Sequence, residues 1–298
     1  MSSGKTYGGH SMAATLRRVL VCPPEAAGWS DAARTARFQD LAYVRRPDFT
    51  AASAQHQALR RELESAGAEV LSLPPAEDLS LDAVYAHDAS FPTDHGVIRL
   101  RMGKPARSSE PVRQAEFFRN LGIPLLGALE PPATAEGGDM VWLDATTVMV
   151  GRGYRTNRAG IEQLGALLGE RGVEVLSAPL PHGQGPEFCL HLMSLLSIVS
   201  DQDPRLALVD LPLLAVETVD LLRERGFRLL SIDPAERGSM AVNVLALGNR
   251  RLLALAENER TNARLRAEDF EVRSFPGGEI CQNGSGGPTC LTRPLLRG

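Results

Sequence analysis

Five times along this chain, a Gly or Asp followed two residues later by an acidic, basic or Pro residue and then an aliphatic opens a short β-prone stretch. The phrases are Gly67-Ala68-Glu69-Val70, Gly122-Ile123-Pro124-Leu125, Gly172-Val173-Glu174-Val175, Gly226-Phe227-Arg228-Leu229 and Asp269-Phe270-Glu271-Val272. Downstream of each final aliphatic lies a polar residue able to do chemistry: Asp88 at an offset of 18, Glu136 at 11, His191 at 16, Asn243 at 14 and Cys290 at 18. A repeat of this length calls for units packed side by side. Closing the units into a ring would hide their strand edges and aim one functional group per unit at a common centre. An ordinary doubly wound sheet is the alternative, but it gives no reason for the polar residues to recur in phase.

Each phrase follows a stretch with helical spacing. Leu59 and Leu63 fall on one face of 55–66, Phe117, Phe118 and Leu121 on 110–121, and Ile161, Leu164, Leu167 and Leu168 on the third. Val219, Leu221 and Leu222 mark the fourth, and the more polar 257–267 is the fifth. The glycines then stand where a left-handed helix cap is expected. Two hairpins are predicted, 140–143 with 147–150 around Asp144-Ala145, and 242–247 with 251–256 around Gly248-Asn249. The unit therefore reads strand, strand, helix, strand.

The 298 residues are 43% hydrophobic and 23% charged, enough to bury a sizeable core. A net charge of −4 disfavours a nucleic-acid partner, which usually needs a basic face. The longest apolar run, 189–199, is broken by His191 and Ser194 and is too short to span a membrane. With no apolar leader at the start, a cytoplasmic location is expected. The four cysteines, Cys22, Cys189, Cys281 and Cys290, show no metal-binding spacing and suit a reducing compartment. Residues 1–14, rich in Ser and Gly, are expected to form a disordered tail ahead of one catalytic α/β domain over 15–298. The sequence leaves the oligomeric state open, a homodimer included.

Cys290 follows a glycine-rich loop, Gly284-Ser285-Gly286-Gly287-Pro288-Thr289, whose backbone amides can approach the sulfur and favour its thiolate. His191 sits in an apolar stretch, Phe188-Cys189-Leu190-His191-Leu192-Met193, and its imidazole can cycle a proton near neutrality. Glu136-Gly137-Gly138-Asp139 reads as a tight turn that aims at least one carboxylate inward. Cys22 and Cys189, with apolar neighbours, read as core.

Taken together, Asp88, the Glu136-Gly-Gly-Asp139 turn, Arg155-Thr156-Asn157, Leu190-His191-Leu192 and the terminal Gly-Gly-Pro-Thr-Cys290 resemble the guanidino-group modifying enzymes in their order along nearly the whole chain. That group comprises dimethylarginine dimethylaminohydrolases, arginine deiminases and amidinotransferases, and length and motif style come nearest the first. The resemblance implies a five-bladed α/β propeller, the pentein fold, with Cys290 as nucleophile, His191 as general acid and base, and Glu136 orienting His191. It further implies that Asp88 anchors the substrate guanidinium and that Arg107 and Arg155 grip a substrate carboxylate. Asp139 and Met193 complete the expected substrate-binding set. No metal or other cofactor is expected, and the implied partner is a small guanidino compound, most simply an Nω-methylated arginine converted to citrulline and an amine.

Met193 is a departure, because deiminases and amidinotransferases typically carry an Asp there and the dimethylarginine enzymes tend to carry Lys. A thioether cannot accept a guanidinium's hydrogen bonds as a carboxylate does. An N-alkylated guanidine, with fewer donors and some apolar surface, suits it better than free arginine. Arginine deiminase or amidinotransferase chemistry, or a non-catalytic propeller that binds without reacting, are the alternatives. The long segment 23–46 is predicted to be a lid over the substrate.

Overall fold

The five phrases become five copies of one unit, an antiparallel strand pair followed by a helix and a third strand parallel to the middle one. The structure is a computed structural model that describes residues 5–298. The chain opens with β1 (Leu16–Val21), a short α1 (Ala32–Ala36), α2 (Phe49–Ser65) and β2 (Glu69–Ser72). The second unit is β3 (Ser90–Thr93), β4 (Gly96–Arg99), α3 (Glu110–Asn120) and β5 (Leu125–Ala128). The third is β6 (Met140–Asp144), β7 (Thr147–Arg152), α4 (Arg158–Gly169) and β8 (Glu174–Pro179). The fourth is β9 (Leu196–Ser200), β10 (Leu206–Val209), α5 (Val216–Glu224) and β11 (Arg228–Ser231). The fifth is β12 (Leu245–Gly248), β13 (Arg251–Leu255), α6 (Glu259–Ala267) and β14 (Glu271–Phe275).

The final strand, β15 (Thr292–Arg297), returns to pair antiparallel with β1, setting Val21 opposite Thr292 and Leu16 opposite Arg297. The first sheet is thus ordered β15-β1-β2 and joins the two ends of the chain. Five three-stranded sheets result. In each, the first strand of the hairpin lies at an edge. These edge strands meet their counterparts from neighbouring sheets, β6 touching β9, β9 touching β12 and β15 touching β3. The expected five-bladed α/β propeller is the fold, closed through the pairing of its ends.

The helix caps follow the sequence logic. Gly67, Gly122, Gly172 and Gly226 all take positive φ after their helices, and Asp269 takes the same conformation (φ 60°) in the fifth unit despite its side chain. The helix of the first unit begins earlier than the apolar spacing suggested, because the Asp48 carboxylate accepts the Ala51 N–H and caps a polar first turn. Inward faces bury Leu59 and Leu63 from α2 and Leu164 and Leu168 from α4 against their sheets. Each such leucine contributes roughly 1.5–3 kcal/mol. No described helix is long and apolar enough to cross a membrane.

The expected tail over 1–14 needs correction within the described residues; residues 1–4 lie outside them. Gly8 pairs with β15, donating its N–H to Leu295 O (2.7 Å) and accepting the Arg297 N–H (2.9 Å). His10 stacks on Trp142 with ring centroids 3.9 Å apart. Its Nδ1–H donates to Ala145 O (2.8 Å) and its Nε2 accepts the Asp94 N–H (2.9 Å), so both ring nitrogens are used by the neutral imidazole. Low-complexity composition concealed these pairings, since they are made mostly by backbone groups and one aromatic stack. Replacing His10 with Ala should lower stability by about 2 kcal/mol through two lost hydrogen bonds and the stack. Burial depresses the His10 pKa below its ordinary 6.5. Its stabilising effect should therefore be complete above that value and fade as pH falls below it. Thermal melts of both proteins from pH 8 to pH 5 check this; a difference that grows toward acid would be the wrong sign.

Candidate active site

Asp88, Glu136, His191, Asn243 and Cys290 each lie just ahead of an edge strand, β3, β6, β9, β12 and β15 respectively. Because those strands ring the axis in a common direction, the five residues arrive at one end of it. Four of the five gather at one chamber, and the fifth, Asn243, stands against Cys290. Asp88, His191 and Cys290 line a chamber of about 100 Å³, together with Tyr85, Lys104, Arg107 and Arg155. Glu136 backs it from the fully buried side.

The His191 imidazole is held by one edge. Its Nε2–H donates to Glu136 Oε2 (2.7 Å), while Nδ1 lies 3.9 Å from Asp88 Oδ1 and stays free of a hydrogen-bond partner. Glu136 is fixed in turn, because its Oε1 accepts the N–H groups of Gly103 (2.9 Å) and Lys104 (3.1 Å). The turn Gly137–Asp139 passes directly beneath the ring. A Cβ on Gly138 would lie 2.6 Å from His191 Nδ1 and 2.9 Å from Asp88 Oδ1, so only glycine lets the backbone come this close. The Gly138 N–H uses the approach to donate to Asp88 Oδ1 (3.0 Å).

Charge decides the protonation states. Burial alone would lower the His191 pKa, but the Asp88 charge and the Glu136 hydrogen bond outweigh it and raise the value to about 9. Burial likewise opposes a charged Glu136, yet its bond to His191 holds it down to about 2. Asp88 is also held below the usual carboxylate range, by His191 and Arg107 against its burial. The site at neutral pH is an imidazolium between two carboxylates.

Cys290 is the partly exposed cysteine; Cys22, Cys189 and Cys281 are buried. Burial and then the charge of Asp88 push its thiol up to about 12, partly offset by the Gly287 backbone and by Asn243. Asn243 thereby gains the role that its phase had promised without specifying. Its Nδ2 donates to the Cys290 sulfur (3.2 Å) while its Oδ1 accepts the Thr289 N–H (2.9 Å), so both ends of the amide hold the loop at Cys290. Gly287 packs against this amide so tightly that a Cβ would lie 2.5 Å from Asn243 Oδ1.

Three expectations change. Arg107 is enclosed, with Nε and Nη2 donating to Glu110 (2.9 and 2.8 Å), Nη2 to Tyr85 O (2.9 Å) and Nη1 to Asp88 Oδ2 (2.6 Å). Its fork holds Asp88 in place and has little left for a substrate carboxylate; the Glu110 partner three residues on was the overlooked sign. Asp139 is fully buried behind the turn, accepting from Thr156 Oγ1 (2.6 Å) and from the Leu192 N–H (2.8 Å), so it braces the segment that carries His191 and does not face the chamber. Met193 is 2% exposed and lines a neighbouring cavity, outside the chamber.

Arg155 is a cation at the chamber wall, its Nη1 3.6 Å from Glu136 and its Nη2 donating to the exposed Glu187 at 3.5 Å. Lys104, which sequence reasoning missed, joins it there, donating to Leu41 O (2.8 Å) and to Asp82 Oδ2 (2.6 Å). Leu41 and Ala42 come from the long segment 23–46 and form part of the chamber wall where a lid was expected. Ligand atoms of Asp88, Glu136 and His191 lie within 4.8 Å of one another, close enough for a small cation. Arg107 and Gly138 already donate to the two Asp88 oxygens, and Gly103 and Lys104 to Glu136 Oε1.

Comparison with known proteins agrees with this geometry. The arginine deiminase family model matches residues 75–203. A dimethylarginine dimethylaminohydrolase from Streptomyces coelicolor is 31% identical over 70% of this chain and 72% of its own. The chain belongs to the guanidino-group modifying enzyme superfamily. An uncharacterized Bacillus subtilis protein, YkgA, is 28% identical over 95% of this chain and 93% of its own. Among solved structures, a cysteine-to-serine variant of the Pseudomonas aeruginosa dimethylarginine dimethylaminohydrolase, complexed with citrulline, superposes with a TM-score of 0.75. It is 22% identical and covers 94% of this chain and all of that one, a match in fold.

Asn243→Ala removes one donor to sulfur while leaving the chamber's charges in place. Its Cys290 should be alkylated by iodoacetamide roughly tenfold more slowly at neutral pH, with the rate recovering at higher pH. An unchanged pH profile would separate Asn243 from the nucleophile.

Proposed function

We propose that this protein is a cysteine hydrolase of a substituted guanidine, Nω-methylated arginine in its simplest form, yielding citrulline and an amine. The observation that carries the reading is the meeting of Cys290, the His191–Glu136 pair and the Asp88 carboxylate around one small chamber with Arg155 at its wall. The relatives named dimethylarginine dimethylaminohydrolase, and the solved one holding citrulline, support it.

Asp88 receives the guanidinium, and the arriving cation cancels the negative charge that helps keep the Cys290 thiol protonated. The thiol then loses its proton to solvent, and the thiolate attacks the central carbon. Since Nε2 is committed to Glu136, the free Nδ1–H of His191 supplies the proton to the departing nitrogen. The C–N bond breaks, an amine leaves, and a thiouronium remains on Cys290. Water attacks that carbon as Nδ1 takes one of its protons, the C–S bond breaks, and the ureido product departs. Arg155, a planar fork on the chamber wall, pairs with the carboxylate of an amino-acid substrate.

The alternative is free arginine as substrate, to which the neighbouring cavity presents the Met193 thioether and no carboxylate at that position. Colorimetric citrulline assay across arginine, monomethylarginine and asymmetric dimethylarginine distinguishes the two, with turnover of the methylated compounds expected to dominate. Cys290→Ser should abolish product with the melting temperature retained; substantial residual turnover would refute the assignment. Because His191 must enter protonated, activity should fall as pH rises through about 9. Glu136→Gln takes away a group that raises that value, so the alkaline limb should move to lower pH and kcat should drop roughly 100-fold. A limb that stayed in place would detach Glu136 from His191's titration.

A further inference from the structure

Cys290 and His191 stand between two spaces. One is the charged chamber described above. The other, of about 170 Å³, shares Cys290, His191 and Leu190 with it and extends to the opposite side, away from Asp88 and Arg107. It has room for on the order of ten waters, well beyond the volume of one or two methyl groups. Its walls are mainly apolar, formed by Met193, Leu195, Leu213, Ile232 and Val242. Two carboxylates line it: Asp210, whose oxygens both accept from Arg237, and the exposed Glu187, which also borders the charged chamber and lies 3.5 Å from Arg155.

We propose that this cavity receives the departing side of the substrate, and that the preferred substrate is a guanidine bearing an apolar N-substituent longer than methyl. The proposal rests on the hydrolase reading above. A guanidinium has two ends to satisfy. The end facing Asp88 finds a fixed carboxylate, and the end facing the second cavity finds a thioether and aliphatic carbons. An N–H pointing into the part walled by Met193, Leu195, Ile232 and Val242 would face carbon and a thioether, whereas an alkyl chain would displace water from those apolar walls. Met193 thus acts as a specificity residue by lining the alkyl path, which explains its burial beside the site without a place in the charged chamber.

The chemistry balances without a further reactant. Cys290 sulfur bonds to the guanidinium carbon, the bond from that carbon to the substituted nitrogen breaks, and His191 Nδ1–H protonates the leaving nitrogen. The alkylamine leaves through the apolar cavity. One water then converts the thiouronium to a ureido compound and restores the thiolate. The sum is substituted guanidinium plus water giving ureido compound plus alkylammonium.

The test is a kcat/KM series for the purified full chain on arginine and its Nω-methyl, Nω-propyl and Nω-butyl derivatives, following both citrulline and released amine. The value should rise by roughly fourfold for each buried methylene from methyl to butyl. Leu213→Trp, a partly exposed position on the cavity wall, should abolish that gain while Nω-methylarginine is still hydrolysed. A rate that is flat or falls with chain length, beside clear turnover of methylarginine, would overturn this proposal and leave the hydrolase reading intact. If Leu213→Trp folds by its melting curve and keeps the wild-type chain-length dependence, the cavity assignment is wrong. Failure to hydrolyse any of the four would sink the hydrolase reading and this proposal together.

Discussion

Everything in this fold depends on the chain returning to its own beginning. The pairing of β15 with β1 supplies the third strand of the first sheet, and without it the ring would expose strand edges at both of its ends. Closure also sets the site. Cys290 sits two residues before β15, so the register between Val21 and Thr292 fixes where its sulfur stands. The carbonyl of Cys290 accepts the His87 N–H (3.1 Å), which ties the closing strand to the segment carrying Asp88. A slip of one residue in this pairing would turn Thr292 and its neighbours to the opposite face and carry the sulfur away from the chamber.

Within the ring, buried charges are held by assignment of each polar atom to a partner. Asp88, Glu136, Arg107, Glu110 and His191 are all nearly inaccessible to solvent. Such groups are tolerated only when paired and hydrogen-bonded. Glu110 fills the Arg107 fork, Arg107 and Gly138 each take one lone pair of an Asp88 oxygen, and two backbone amides fill one side of Glu136. What remains open is one edge of His191, the second lone pairs of Asp88 and the Cys290 sulfur beside its Asn243 donor. The chemistry proposed for the site uses those remainders.

Much of this was legible in the sequence because it depends on phase. The repeat of helix, cap and strand gave the five units, and the polar residues in step with it gave Asp88, Glu136, His191 and Cys290. Asn243 could be located by the same phase but not explained, since its contact with sulfur spans 47 residues and no local pattern encodes it. The partners of Arg107 and Asp139 were hidden for a related reason. Their residue types suit a substrate carboxylate or guanidinium, but partners elsewhere, Glu110 and Tyr85 for one, Thr156 and Leu192 for the other, had prior claim on them. The order in 5–14 was invisible because composition reports nothing of backbone pairing or of a single stacked imidazole.

The delivery of one group per unit has a consequence for how such an enzyme can change. Cys290, His191, Glu136 and Asp88 sit on four separate loops, each rooted in its own sheet. Met193, by contrast, follows His191 on the same short turn, and the apolar cavity beyond it is walled largely by the fourth unit and its flanking loops. The residues that wall the apolar cavity are therefore grouped on one side of the ring, while Cys290 and Asp88 are braced from another. A lineage could redraw that one sector, exchanging a thioether for a carboxylate or an amine, and leave the setting of Cys290 and Asp88 unaltered.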